Sequence, residues 1–488
     1  MGVNVHEHED GHGHGHTDDT KLALKGRLRV DLLVVSCLIV MFVFLQFDRT
    51  SLGNALTDNF STVAGLSQAD INLGQTLFTL GMVLFEIPSN VAIKRIGAHR
   101  LLPILMFCWG TVTWCQMFIR SRPSFLALRF LLAMCEAGFI PGAAFYLGQF
   151  FTRRDMAFRY TLLWAANSIA GALAGVLALG LLSLNGRGGL HGWQWLWLIE
   201  GVLTCAVAVA AALHLPSGLA GATRHPLFGR RLPILTEAQA EAIHERVTRD
   251  DPTKASQRSR RVRGVDFDVL VGWKVWGHCL MAFLSSIMFT PVNTYAPSII
   301  KSLGFRGYSA NGLNSVGSVL ALVVSLSLSF TSDRVGERAL LVFVGFCVPA
   351  VGLLWLALPP DGVHAGVLYA GLVIVQGGMG CVQGINAAWL SENIEERQRP
   401  VGLAAYVMAI QLASFVGSNI FTARDKPRYK RPFLICAGCV LAAAVVALVW
   451  KALYRLVPQR THAGRQAADE AAEERKQASQ QQQQLQEL

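Results

Sequence analysis

Charge is what this chain has least of. Asp, Glu, Lys and Arg make up 15% of its 488 residues, against 52% hydrophobic residues. Soluble domains carry about a quarter charged residues, so a chain of several water-exposed domains is excluded and an integral membrane protein is expected. Alternating segments of about ten residues are missing, which excludes a membrane β-barrel. The sequence contains no Gly-x-x-x-x-Gly-Lys-Ser/Thr, so ATP hydrolysis is not expected as the energy source. No secretory signal opens the chain; its first twenty residues are polar, and the first apolar run is long enough to span and stay. The ten cysteines, among them Cys37, Cys108, Cys205, Cys279 and Cys347, lie mostly inside apolar runs and read as small core residues, with no disulfide framework. Cys436 and Cys439 form a single CxxC with no second pair, which reads as interior filling. The spans also lack facing His and Asp pairs that would pass a metal, so no metal and no cofactor is expected.

What the sequence does have is twelve apolar runs of about the length that crosses a bilayer. Six lie at 31–47, 73–93, 101–119, 124–146, 161–184 and 193–215, and six more at 273–300, 312–330, 339–358, 365–390, 401–421 and 433–454. The 46 glycines and 17 prolines spread through them suit close helix approach in a membrane. The expected fold is an all-α membrane protein of twelve transmembrane helices in two six-helix halves, 31–215 and 273–456. A linker, 216–272, joins them, and in it Thr236 and Gln239 have the spacing of a capping box opening a short amphipathic helix. The His-rich tail 1–30 (His6, His8, His12, His14, His16) and the Gln-rich tail 457–488 bury too little apolar surface to fold and are expected to be disordered.

The net charge of +11 raises the question of nucleic acid, but its placement answers it. Basic residues crowd the first tail (Lys21, Lys25, Arg27, Arg29), the linker (Arg224, Arg230, Arg231, Arg246, Arg249, Lys254, Arg258, Arg260, Arg261, Arg263) and the end of the last run (Lys451, Arg455, Arg460). That is a positive-inside pattern, which puts both termini and the linker in the cytoplasm. No nucleic-acid partner is expected. The loop before the last helix, with Arg424, Lys426, Arg428, Lys430 and Arg431, departs from the rule. Asn59-Phe60-Ser61 is a glycosylation sequon in the first external loop.

The two halves carry matching loops. After the second span the chain reads Lys94-Arg95-Ile96-Gly97-Ala98-His99-Arg100, and after the eighth Asp333-Arg334-Val335-Gly336-Glu337-Arg338. Arg153, Arg154, Asp155 and Arg159 correspond in the same way to Glu395, Glu396, Arg397 and Arg399, as a duplicated six-helix unit requires. The first pair resembles the D-R-x-G-R gating loop of the major facilitator superfamily, with Lys94 in place of the first copy's Asp. Phe47-Asp-Arg-Thr-Ser-Leu-Gly-Asn-Ala55, Leu84-Phe-Glu-Ile-Pro-Ser-Asn90, the run from Arg129 through Glu136 to Gly142, and Gly192-Trp-Gln-Trp-Leu-Trp-Leu-Ile-Glu-Gly201 are similar to the anion:cation symporter family. They look most like its fungal allantoate, nicotinate and pantothenate permease branch. The similarity runs from the first span to Pro427-Arg-Tyr429, with Gln194 standing where the branch usually has Arg.

Ionisable groups inside a span are costly, about 2.5 to 3.5 kcal/mol on insertion scales, and so are candidates for function. Asp48 and Arg49 end the first run, Glu86 lies beside Pro88 in the second, and Arg129 and Glu136 lie two helical turns apart in the fourth. An arginine keeps its charge and can hold a carboxylate through two parallel hydrogen bonds, whereas a carboxyl group in a dry cavity can take up a proton. The resemblance implies the same roles: Asp48 and Glu136 as proton carriers, Arg49 and Arg129 as anion partners. Uncharged groups that can orient a substrate are Asn167, Asn293, Tyr295, Gln383, Asn386, Tyr406 and Gln411. The expectation is a secondary transporter, a monomer in the plasma membrane bilayer, that imports a small organic anion with protons. Export of an organic acid by proton antiport and nutrient sensing stay open, although Gly171-Ala-Leu-Ala-Gly175 lacks the Gly-Pro pair of drug antiporters.

Overall fold

In a computed structural model the chain is described at residue 22 and over 24–223, 234–250, 270–305, 309–360, 362–394, 398–426 and 428–456. Outside these residues lie the histidines of the first tail, the Gln-rich tail, most linker arginines, Glu395, Glu396, Arg397 and Pro427. The described residues fold into helices and connecting turns. Six helices form the first half: α1 (Leu24–Ala55), α2 (Gln68–Ile96), α3 (Ala98–Cys115), α4 (Arg122–Leu147), α5 (Arg153–Leu182) and α6 (Gly192–His214). The linker helix is α7 (Glu237–Asp250). The second half contains α8 (Trp273–Ser302), α9 (Ser309–Val335), α10 (Arg338–Ala357), α11 (Ala365–Asn393), α12 (Arg399–Gly417) and α13 (Lys430–Leu456). Ten of the twelve outer helices are long and apolar enough to cross a membrane, and α5 and α12 carry the shorter apolar stretches Ile169–Leu182 and Val401–Gly417.

Local sequence accounts for the ends and breaks. Ser67 caps α2 by accepting the Asp70 amide at 3.2 Å, and Asp70 accepts the Ser67 amide at 3.0 Å. Pro123 fills the first turn of α4, where its missing N–H costs nothing. That helix breaks between Glu136 and Phe139, and its counterpart α11 breaks between Gly378 and Gln383, where Gly380 has φ +72°. Gly97 (φ +91°) and Gly336 (φ +70°) turn the chain at the two matching loops, a left-handed conformation that only glycine adopts without strain.

The helix pairs repeat as well. In the first half α1 packs on α5, α2 on α4 and α3 on α6; in the second, α8 packs on α12, α9 on α11 and α10 on α13. The α3–α6 seam is tight enough that a Cβ at Gly201 would lie 2.4 Å from the Trp114 nitrogen. With six helices in each half, the start of α1 and the end of α13 lie at one end of the molecule, here called the terminal end, and α7 packs there beside Gly26.

The hydrogen bonds that join the halves gather toward the other end. Gln68 and Asn72 both donate to the Phe421 carbonyl, at 3.0 and 2.8 Å, and Asn311 donates to Thr57 at 2.8 Å. Asn419 donates to Thr76 at 3.0 Å, Tyr295 to Asn72, and Lys301 to the Thr57 carbonyl. Helices α5 and α9 close along a seam where Ser315 donates to the Ala172 carbonyl at 2.7 Å.

At the terminal end the linker helix is capped as its spacing predicts: Thr236 Oγ1 accepts the Gln239 amide, and Gln239 Oε1 the Thr236 amide, both at 3.2 Å. Removing such a cap costs about 1 kcal/mol. Thr236→Ala should therefore speed hydrogen exchange of the α7 amides about fivefold while leaving the membrane helices unchanged, measured by exchange mass spectrometry.

Candidate functional site

The apolar interior of the first half contains a cluster of charge, assembled from several helices. On α1, Asp48, Arg49 and Ser51 lie within one turn, and because the helix runs on to Ala55 they stand inside it. On α4, Arg129 and Glu136 sit before the break. Two glycines of α2 allow α4 to come close. A Cβ at Gly74 would lie 2.4 Å from the Phe125 ring, and one at Gly81 2.9 Å from Ala133. Across that seam Arg129 Nη2 donates to Gln75 Oε1 at 2.5 Å, and its guanidinium lies 4.7 Å from the Phe78 ring centre, within cation–π range.

Asp48 and Arg129 are 2% exposed and Glu136 is fully buried. Arg49 Nε donates to Glu136 Oε2 at 2.9 Å, and the Arg49 side chain retains 28% exposure, so the pair is buried on the glutamate side only. The pairing within the cluster is therefore between helices: Arg49 takes Glu136, and Arg129 takes an uncharged amide. Neither carboxylate oxygen of Asp48 has a hydrogen-bond partner, nor do Glu136 Oε1 and Arg129 Nε. Thr113 of α3 lies beside Asp48, but its hydroxyl donates to the Trp109 carbonyl at 2.9 Å.

A third buried carboxylate, Glu200 of α6, adjoins the cluster; it is 8% exposed and accepts a hydrogen bond from Ser51. Glu200 lies inside the family-like motif 192–201, and an ionisable group within a run of tryptophans and leucines is itself a signal of function. His278, fully buried in α8, is a second ionisable group that the apolar run contains.

The remaining candidates fall in three places. Asn167 on α5 accepts from Gln46, one turn before Arg49 on α1, and so adjoins the cluster. Tyr295 stacks on Phe421 with ring centres 6.0 Å apart at the seam between the halves. Beside it the Asn293 carbonyl would lie 2.7 Å from a Cβ at Gly53. The others belong to the second half. Asn386 Oδ1 is 2.6 Å from His278 Nδ1, Tyr406 donates to Gln383, and Gln383 Nε2 donates to Ser285 and Ser286 at 3.1 Å each. These residues bond to one another and make no recorded bond to Arg129 or Glu136. Gln411 is half-buried on α12.

Among the gating-loop residues, Arg95 is exposed, and the Arg334 guanidinium covers the Phe330 ring at 4.3 Å. Arg338 donates to Glu392 at 3.0 Å and Lys451 to Glu337 at 2.7 Å, tying the second loop to α11 and α13. The side chains of Lys94 and Asp333 lie outside the described residues. Asn59 is half-buried, its amide nitrogen 3.2 Å from His191 Nδ1. The ten cysteines are free, and no group of three His, Cys, Asp or Glu suited to a metal occurs among the described residues.

Known proteins share this architecture and much of this sequence. An uncharacterized transporter of Saccharomyces cerevisiae, YIL166C, is 30% identical over 433 residues, covering 87% of this chain and 79% of that protein. The major facilitator-type transporter hxnP of Emericella nidulans is 29% identical over 430 residues, covering 85% and 83%. Among solved structures, a D-xylose–proton symporter superposes with a TM-score of 0.63 at 16% identity, over 85% of this chain and 97% of that one. An inward-facing bacterial homologue of the human lysosomal transporter Spinster gives 0.62 at 16% identity, over 87% and 96%. Both structures share the fold. The Major Facilitator Superfamily model matches residues 38–418, which span the charged cluster, both matching loops and eleven of the membrane helices. With twelve helices in two repeated sets of six, buried charge within one set and relatives that are transporters, this multi-pass membrane protein belongs to the major facilitator superfamily and is a transporter, not an enzyme.

Proposed function

We propose that the protein is a proton-coupled symporter that imports a small organic carboxylate by alternating access. The observation that carries this reading is the half-buried Arg49–Glu136 pair at 2.9 Å with Arg129 on the same helix as Glu136, its cationic fork occupied on one side by a neutral amide and its Nε unused. A carboxylate that replaces Gln75 on Arg129 gains a charge-assisted, two-pronged contact. Its negative charge then favours a proton on a neighbouring carboxyl, because like charges in a low-dielectric site cannot all stay ionised. Sharing the positive charge in this way links the two loads. The resemblance to allantoate, nicotinate and pantothenate permeases and the monocarboxylic nature of several such substrates point to the same substrate class.

The terminal end is the cytoplasmic one in this reading, supported by the positive charge on tails and linker. The bonds between the halves gather at the opposite end, so the described state is closed to the outside. A plasma membrane location and a monomer working alone are parts of the same proposal.

In liposomes containing the purified protein, an acid exterior should drive uptake of nicotinate, pantothenate, allantoate or a similar carboxylate, and collapsing the gradient should stop accumulation. Uptake driven instead by an alkaline exterior would indicate antiport. Glu136→Gln leaves Arg49 with an uncharged partner and removes a proton acceptor. Accumulation should then fall at least tenfold, whereas exchange of labelled for unlabelled substrate across the membrane continues. Accumulation that still follows the proton gradient in this variant would remove Glu136 from the coupling role.

A further inference from the structure

Three carboxylates and two guanidinium groups share the buried cluster, and the arrangement separates them into two parts. Glu136 is bound by Arg49. Asp48 and Glu200 have no salt-bridge partner, and Arg129, which faces Asp48, gives its hydrogen bond to Gln75. Asp48 lies on the same face of α1 as Ser51, three residues along, and Ser51 donates to Glu200. Glu200 is thus brought to the turn of α1 that carries Asp48, and it is a like-charged neighbour of Asp48 together with Glu136. The charged and titratable groups facing Asp48 are Glu200 and Cys205 from α6 and Arg129 and Glu136 from α4.

Fully ionised, this cluster would hold one more negative than positive charge in an apolar interior, with Asp48 accepting no hydrogen bond. A buried charge without a partner costs several kcal/mol, and two like charges side by side cost more. Adding one proton makes the count neutral.

We propose that Asp48 and Glu200 form a proton-binding pair that holds one proton between them before substrate arrives, and that Glu200 is a positioning residue for coupling, setting how readily Asp48 gains and releases that proton. The proton comes from water and is returned to water; no other reactant is needed. Asp48 and Glu200 then act as one titrating unit. With the pair singly protonated, one negative charge remains to balance Arg129. An incoming monocarboxylate on Arg129 brings a second negative charge, which a second proton on the pair neutralises.

The role in coupling rests on the symport reading, but the shared proton does not, and infrared spectroscopy tests it without transport. Purified protein at neutral pH should show a protonated-carboxyl stretch that is lost in Glu200→Gln and equally lost in Asp48→Asn. In either variant the cluster keeps two carboxylates against two guanidinium groups, so the member of the pair that remains can ionise without leaving a net charge. Glu86→Gln, on α2 outside the cluster, should leave that band in place. Two different bands lost by the two variants, or no band affected by either, would overturn the shared proton and leave Glu200 as a hydrogen-bonded brace for Ser51. In liposomes, half-maximal uptake by Glu200→Gln should move about one pH unit toward acid, a tenfold change in proton concentration, because a lone Asp48 beside Arg129 binds a proton less readily. An unmoved profile would overturn the role in coupling. Absence of gradient-driven uptake in the unaltered protein would overturn the symport reading and leave the infrared result standing.

Discussion

Replacing Arg129 by alanine should weaken carboxylate binding by at least about thirtyfold. Truncating one partner of a buried, hydrogen-bonded charge contact costs about 2–5 kcal/mol, and each 1.4 kcal/mol is tenfold in affinity. The substitution removes the only guanidinium of the cluster that is 2% exposed and free of a carboxylate partner. Isothermal calorimetry or a scintillation binding assay on purified protein at acid pH gives the number. Arg129→Lys separates charge from shape. A lysine keeps the positive charge beside Asp48 and Glu200 and so preserves the fold, but it lacks the planar fork and should recover only part of the affinity. If alanine at this position leaves affinity within threefold of the unaltered protein, Arg129 serves the α2–α4 seam and the anion binds elsewhere.

A second large effect is expected far from any charge. The α5–α9 seam between the halves depends on Gly175, where an added Cβ would lie 2.4 Å from the Asn311 carbonyl and 2.3 Å from Ser315 Oγ. The serine can rotate away; a backbone carbonyl cannot. Gly175→Leu should therefore keep the halves apart at this seam and destabilise the state described here. Uptake should fall at least about tenfold, since a carrier that cannot reach one of its two states cannot cycle. The fold of each half should persist, because the clash lies between them. Cysteines introduced singly along the 57–76 segment should become more reactive to impermeant thiol reagents, which report opening at that end. Unchanged uptake and unchanged labelling would mean that the seam can spread without consequence.

How much of this was legible in the sequence follows from what each signal measures. Apolar runs report burial in lipid, and all twelve appear as helices near their expected places. They do not report where a helix continues in polar residues, so the first run ended at residue 47, whereas α1 extends to Ala55 and places Asp48 and Arg49 in the interior. The breaks in α4, in α11 and in α8, where the helix is interrupted between Ser286 and Phe289, add no polar stretch to the runs and were invisible for that reason. The capping box at Thr236 was legible because it is local, four consecutive residues satisfying one another.

Pairing was the hard part. Arg129 and Glu136 share a helix face, which sequence spacing detects, but their partners come from α1 and α2, which only the fold brings near. Glu200 and His278 were within reach of the rule that picked out Asp48 and Glu136. A motif likeness absorbed the first, and an aromatic-rich run hid the second. Gln75, uncharged and inside an apolar run, carried no signal at all.

Gln75 also makes a connection of another kind. Its oxygen faces Arg129 at 2.5 Å, and its amide nitrogen donates to Thr294 Oγ1, in the other half of the molecule, at 2.8 Å. The orientation is forced, because an arginine has donors only and must meet the oxygen, which leaves the NH2 group for the threonine. An anion that captures Arg129 Nη2 takes away the donor that fixes this amide, and the amide is then free to turn. If the anion binds at Arg129 as proposed, that event would unpin one of the bonds by which the two halves grip each other, and a single side chain would make the latch sensitive to its cargo.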